Sequence, residues 1–362
     1  MNPAAGNVVT HAVRQPDHRP AAHTFILPPI GADSITALAQ RFIARNPEHR
    51  EIARAVVNGA VGDRLHEAGS SLATSMRLLY GADRADVPSE PSPADACVFV
   101  HGLMGCEHDW SFWAQAEARV DYPKALAEAR GVTPVFVRYN SGRHISQNGR
   151  ELATRLQAMV DAWPLRSLTA VTHSMGGLVF RSACHYGMQA GHTWLQPLQR
   201  AFLLGVPTHG APLEQLAHLA AFTLEAIWNP WTKLVGKAIN LRSAGIKDLR
   251  HGFVLDEDWQ GRDPDQLRLA APRRPEAVPD VAWFVAAASL GATDSTWGKI
   301  LGDGAVRTPS AQGKGFGTPD PGLLEGATVR VFDQTSHAAL LSEPAVLEQL
   351  LQWWPPDDEA EA

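Results

Sequence analysis

The sequence predicts an α/β protein, a mostly parallel sheet flanked by helices, with a helical segment before it and a helical insertion within it. Three observations predict it. Short apolar runs recur at Cys97–Val100, Pro134–Arg138, Leu168–Val171, Ala201–Val206, Val281–Ala288 and Thr328–Phe332. Helical patterns, notably Ser146–Trp163 and Met175–Tyr186, lie between them, and this alternation is what βαβ units produce. The chain has 362 residues, 45% of them hydrophobic, which is enough for one enlarged α/β domain with a large core.

In chain order, residues 1–30 form a Pro-rich arm. Residues 31–93 read as a helical segment and a linker. Ile35, Leu38, Ala39, Phe42 and Ile43 make a helical stripe behind the possible caps Asp33 and Ser34. Asn46-Pro47 resembles an N-cap followed by proline at the first helical position, opening a helix through Val57. A third helix is expected from about Asp63 to Tyr80, stopping at Gly81, and Val87–Pro93 is linker by composition. This segment carries no nameable chemistry; a packing layer or dimerisation surface is the expectation. The α/β core spans 94–355, interrupted by an insertion at 211–280, and 356–362 is an acidic, solvated tail.

Charge and cysteine content exclude several function classes. Net charge is −6, from 38 acidic and 32 basic side chains with no basic block, so no nucleic-acid partner is expected. Three cysteines make no disulfide framework; Cys97 in a strand pattern and Cys184 in a helix pattern read as small buried hydrophobes. Residues Met1 to Pro20 show no apolar signal region, and the longest apolar run, Val281 to Leu290, is too short for a bilayer. A soluble cytoplasmic protein is the expectation. Fifteen histidines include no His-Glu-x-x-His pattern or close Cys/His cluster, so no metal and no cofactor are expected.

Chemistry concentrates at Thr172-His173-Ser174-Met175-Gly176-Gly177, directly behind the apolar run Leu168–Val171. It reads as strand, corner and helix with a serine at the corner, the arrangement usually written G-x-S-x-G; Thr172 stands where the first glycine would be. A serine so placed is exposed for nucleophilic attack, and small residues are forced at Gly176 and Gly177. The first core strand ends in His101-Gly102-Leu103-Met104-Gly105, where an oxyanion-binding loop belongs. The backbone amides of Leu103 and Met175 are the candidate oxyanion donors. His101, before the serine and at a strand end, reads as a structural brace rather than a base. Chain order then requires an acid and a histidine after the serine. His337 is the only histidine beyond the last predicted strand. Two acids follow the preceding strand, Asp294 and Asp303, and the glycines flanking Asp303 suit a tight loop.

These features resemble the α/β-hydrolase superfamily, and within it bacterial serine esterases and lipases of the GPI-inositol-deacylase-like branch. The resemblance is carried by His101–Gly105, Tyr139-Asn140-Ser141-Gly142, His173–Gly177, Gly205-Val206-Pro207-Thr208-His209-Gly210-Ala211-Pro212, Gly302-Asp303-Gly304-Ala305-Val306 with Ser310-Ala311, and Ser336-His337. It implies the α/β-hydrolase fold, a Ser174–His337–Asp303 triad, Leu103 and Met175 as oxyanion donors, and ester hydrolysis through an acyl-enzyme. It favours Asp303 over Asp294. Such folds commonly carry a cap before the acid-bearing strand, and the insertion here is apolar. Leu224, Trp228 and Trp231 are candidates for an acyl pocket or lid. The partner expected is therefore a small-molecule or lipid ester, with transient lipid-surface contact through the cap. An acyltransferase or a phospholipid or lysophospholipid acyl hydrolase on this fold is the alternative, and a non-catalytic binding protein the remoter one. Arg242–Arg250 looks specific without an evident role.

Overall fold

The computed structural model describes residues 47–86, 94–115, 118–211, 243–262, 272–289 and 326–356. Its centre is a seven-stranded sheet: β1 (Arg77–Tyr80), β2 (Asp95–Val100), β3 (Thr133–Arg138), β4 (Ser167–His173), β5 (Leu198–Leu204), β6 (Ala282–Ser289) and β7 (Thr328–Asp333). Their order is β1-β3-β2-β4-β5-β6-β7. Only the β1–β3 pair is antiparallel; every other pair is parallel. Parallel strands buried on both faces need apolar side chains on both, which explains the unbroken runs of β2 and β4.

Alternate residues of one strand feed two cores. Ala96, Val98 and Val100 of β2 join one layer with Leu152 and Leu156 of a helix over Ile145–Ala162 and Leu178 and Val179 of a helix over Met175–Ala190. Cys97 and Phe99 join the other, with Leu126 of Tyr122–Arg130 and Val346 and Leu350 of Pro344–Trp353. Helices thus cover both faces, and the chain adopts the α/β-hydrolase fold. Cys97 and Cys184 are free thiols buried in these layers.

Six of the strands fall where the apolar runs predicted them. The N-terminal segment differs. One helix, α1 (Pro47–Glu67), runs well past Val57 with a kink at Val61. The expected helix from Asp63 to Tyr80 does not form. Gly69 sits at φ 62°, its amide bonded to the His66 carbonyl at 3.0 Å, and the Ser70 amide bonds to Leu65 at 2.9 Å. This left-handed glycine closes the helix by satisfying its last carbonyls. The following residues make a turn, closed by the Ala73 amide on the Ser70 carbonyl at 2.9 Å and held from the side. The Arg54 guanidinium donates to the carbonyls of Ser71 at 2.7 Å, Leu72 at 3.2 Å and Ala73 at 3.1 Å. Asn58, one turn further along α1, donates to Leu72 and accepts from the Thr74 amide, both at 2.9 Å. The chain then enters β1, a strand beyond the six that the apolar runs predict, burying Leu78 and Leu79.

The remaining helices are α2 (Asp109–Phe112), α3 (Tyr122–Arg130), α4 (Ile145–Ala162), α5 (Met175–Ala190), α6 (Ala244–His251), α7 (Asp256–Trp259) and α8 (Pro344–Trp353). Helix α6 gives a role to the unexplained stretch at Arg242–Arg250, of which Ser243 onward is described. Ser243 caps it and donates to the Gly59 carbonyl of α1 at 2.6 Å. Buried Asp248 accepts from the Ile145 amide at 2.8 Å and from His144 Nδ1 at 3.0 Å. A carboxylate from the insertion therefore serves as the N-terminal cap of α4, which lacks a side-chain cap of its own. No helix among the described residues is long and apolar enough to cross a membrane.

Candidate active site

Ser174 occupies the corner between β4 and α5 at φ 52° and ψ −127°. A non-glycine residue there is strained by about 1–3 kcal/mol, so the surroundings must hold it. The Ser174 amide donates to Leu204 of β5 at 2.9 Å, and its carbonyl accepts from Gly177 at 3.1 Å. Glycines make the corner possible. A Cβ on Gly176 would lie 2.4 Å from the carbonyl oxygens of Val100 and His101, and one on Gly177 would lie 2.2 Å from Val206. The variant first position is accommodated simply: buried Thr172 points its hydroxyl sideways, donating to the Phe202 carbonyl at 3.1 Å. Ser174 Oγ itself is buried and finds no hydrogen-bond partner among the described residues.

The loop after β2 lies against the serine. A Cβ on Gly102 would stand 3.0 Å from Ser174 Cβ and 3.3 Å from His173 Nδ1, so glycine permits the approach. Among the described residues, the amides of Leu103, on this loop, and Met175, opening α5, donate to no acceptor outside the helical and strand ladders. Amides left over at a helix start, on a 16-residue helix with its positive end at the site, suit a developing oxyanion. His101 braces the loop from below. Its ring stacks on Tyr139 with centroids 4.3 Å apart, its Nδ1 donates to Gly102 at 2.9 Å, and Tyr139 returns a bond to the His101 carbonyl at 2.8 Å. Burial pushes the His101 imidazole down to about 4, so it is neutral at pH 7.

His337 follows β7 in a short loop and is brought back across the sheet ends. Its ring lies on Gly205, where a Cβ would come within 2.9 Å of Cε1 and Nδ1. Gly205 takes φ 60° at the end of β5. His173, the neighbour of Ser174, ties the two segments: its Nε2–H donates to the His337 carbonyl at 3.1 Å, and the rings stand 4.6 Å apart. Burial first, and then the neighbouring His337, hold the His173 imidazole well below its usual range.

The structure thus gathers Ser174, Gly102, Leu103, Met175 and His337 at one end of the sheet. The candidate acids Asp303 and Asp294 follow β6 in sequence but lie outside the described residues, as do Leu224, Trp228 and Trp231 of the insertion. His173 and Gly205 hold the histidine in place, and sequence reasoning gave neither that role. Only their places inside the stretches His173–Gly177 and Gly205–Pro212 could have pointed to them. Among the described residues, no group of three or more His, Cys, Asp or Glu side chains is placed to hold a metal ion.

Comparison with known proteins gives one family match. Residues 91–207, which run from before β2 to just past β5 and include Ser174, match the family described as "Putative serine esterase (DUF676)". The match does not single out the GPI-inositol-deacylase-like branch. No curated protein sequence matches the chain. Among solved structures, the chain is similar to mature lipase BlEst2 of Bacillus licheniformis, with 19% identity over 76% of this chain and 96% of that one, TM-score 0.43. It is similar to lipase B of Aspergillus fumigatus, with 11% identity over 72% and 53%, TM-score 0.42. A lipase-esterase related protein of Clostridium acetobutylicum gives 10% identity over 76% and 98%, TM-score 0.41. Likenesses this distant add nothing to what the strand order already shows.

Proposed function

We propose that this chain, an α/β-hydrolase of the serine-esterase kind, cleaves carboxylic esters through an acyl-enzyme on Ser174. The observation that carries the reading is the strained Ser174 at the β4–α5 corner, held against Gly102 with its hydroxyl uncommitted among the described residues. In the proposed reaction Ser174 Oγ attacks the ester carbonyl and His337 takes the hydroxyl proton. The carbonyl oxygen, now negative, accepts hydrogen bonds from the Leu103 and Met175 amides. As the C–O bond breaks, His337 returns the proton to the leaving alcohol. Water then adds to the acyl-enzyme by the same proton route, releasing the acid and restoring Ser174. Asp303 would hold the imidazole in its working tautomer and stabilise the imidazolium.

Ser174→Ala should lower turnover of a nitrophenyl ester by several orders of magnitude; turnover close to wild type would refute the assignment. Asp303→Asn and Asp294→Asn, assayed side by side, identify the acid, because only the true one cripples kcat. The apolar insertion supports an acyl pocket lined by Leu224, Trp228 and Trp231. On that reading kcat/KM rises with acyl length across a nitrophenyl ester series. Trp228→Ala should erase the rise while leaving acetate turnover nearly unchanged.

A further inference from the structure

Ser141 has no part in the mechanism above, yet it touches the oxyanion loop at its most strained point. Gly102 to Gly105 form a four-residue turn, closed by the Gly105 amide on the Gly102 carbonyl at 3.2 Å. Its third residue, Met104, stands at φ 60°, the left-handed value that a type II turn requires there and that glycine or asparagine normally supplies. Turning over the peptide between Leu103 and Met104 would return Met104 to a negative φ. That flip would also swing the Leu103 carbonyl about 180° beside the very amide assigned to the oxyanion.

A single hydrogen bond from the side opposes the flip. The Met104 amide donates to Ser141 Oγ at 3.0 Å, between two residues no more than 2% exposed. Breaking it would leave a buried donor and a buried hydroxyl without partners. Ser141 is itself fixed on both sides. Asn140 donates to the Gly62 carbonyl of α1 at 2.9 Å and accepts from the Gly142 amide at 3.0 Å. The Ser141 carbonyl rests on Gly245 of α6, where a Cβ would intrude to 2.1 Å. Helix α1 closes the other side: a Cβ on Gly59 would lie 2.4 Å from Met104 Cγ and 3.0 Å from its Cα and N.

We infer that Ser141 is a positioning residue of the ester hydrolysis, its hydroxyl latching the Leu103–Met104 peptide so that the Leu103 carbonyl stays turned away from the oxyanion that the Leu103 amide receives. Gly59 of α1 backs the latch. The inference rests on the esterase reading above and assigns the N-terminal helix a part in it.

The test compares Ser141→Ala, Ser141→Cys and Ser141→Thr for kcat, KM and inhibition by phenylboronic acid, which forms a tetrahedral adduct on a nucleophilic serine. Loss of the hydroxyl should lower kcat about 10- to 100-fold with KM within about twofold, the signature of weakened oxyanion binding. Boronate affinity should fall with kcat. Threonine, which keeps the hydroxyl, should retain most activity, whereas cysteine, nearest in size but a poor acceptor, should not. The reverse order, with cysteine close to wild type and threonine the worst, would mean that Ser141 only fills space and would overturn the inference. Gly59→Ala should reproduce the kcat loss from the opposite side. Should the wild-type chain neither turn over esters nor take a fluorophosphonate label, the esterase reading fails by itself. The latch is then read from hydrogen exchange of the Met104 amide, which Ser141→Ala and Ser141→Cys should both accelerate; unchanged exchange in both would overturn it.

Discussion

Glycine at one position and a buried imidazole at another decide how the histidines near Ser174 behave. Gly205 is at φ 60° with the His337 ring where its Cβ would be. Gly205→Ala should therefore displace the imidazole, and kcat should fall by about tenfold or more, since small misplacements of a proton-transfer group are costly. Steady-state kinetics beside a thermal melt would check it, the melt showing a loss of only about 1 kcal/mol or slightly more. His101 gives a pH signature. Its folded-state pKa, about 4, is depressed by burial below the ordinary 6.5. The unfolded chain thus takes up a proton that the folded chain refuses. Stability from this group is complete above pH 6.5 and is lost as the pH falls towards 4, by about 3 kcal/mol in all. Asp109 acts in the opposite sense. Burial pushes its carboxyl up to about 7, so its contribution is present below the ordinary carboxylate range and is lost as the pH rises through 7. Urea unfolding of wild type and His101→Asn across pH 4 to 7 separates the two: the variant should lack the acid-side loss and keep the Asp109 trend.

At the scale of elements, side chains from one segment repeatedly complete the backbone of another. Asp248 of α6 caps α4 and holds His144, whose ring stacks on Trp259 with centroids 3.6 Å apart. Asp248→Ala should leave the Ile145 amide unpaired in a buried place and cost about 2 kcal/mol, measurable as a lower urea midpoint with an unchanged slope. The same borrowing explains why β1 was not legible. The stretch after Gly69 has helix-compatible composition, and it is Arg54 and Asn58, projecting from α1, together with the ladder to β3, that hold it as a turn leading into a strand. The side-chain contacts join residues 14 to 19 apart, beyond the reach of a periodicity argument. Strands β2 to β6 were legible for the converse reason: strands covered on both faces must be apolar at consecutive positions, whereas the edge strand β7 is exposed over most of its length.

For the molecule as a whole, α1 is part of the protein's main body. Val56, Val57, Ala60 and Val61 share a core with Val135 and Val137 of β3, and Gly59 meets Met104 beside the site. A chain shortened through Glu67 should lose cooperative thermal unfolding, because one apolar face of the β1–β3 edge is then left bare; a sharp unabated melt would contradict this. The sequence by itself determined the sheet, the strand–corner–helix at Ser174, the glycines that make the corner possible and the late position of His337. Each is a local demand, set by side-chain period, backbone dihedral or chain order, and such demands are written in neighbouring residues. Only the tertiary structure decided that His173 and Gly205 seat His337, that β1 pairs antiparallel with β3, and that Ser141 and α1 stand behind the Gly102–Gly105 loop. Those are meetings of segments far apart in the chain, and no local spacing encodes which buried donor will find which acceptor once the sheet has closed.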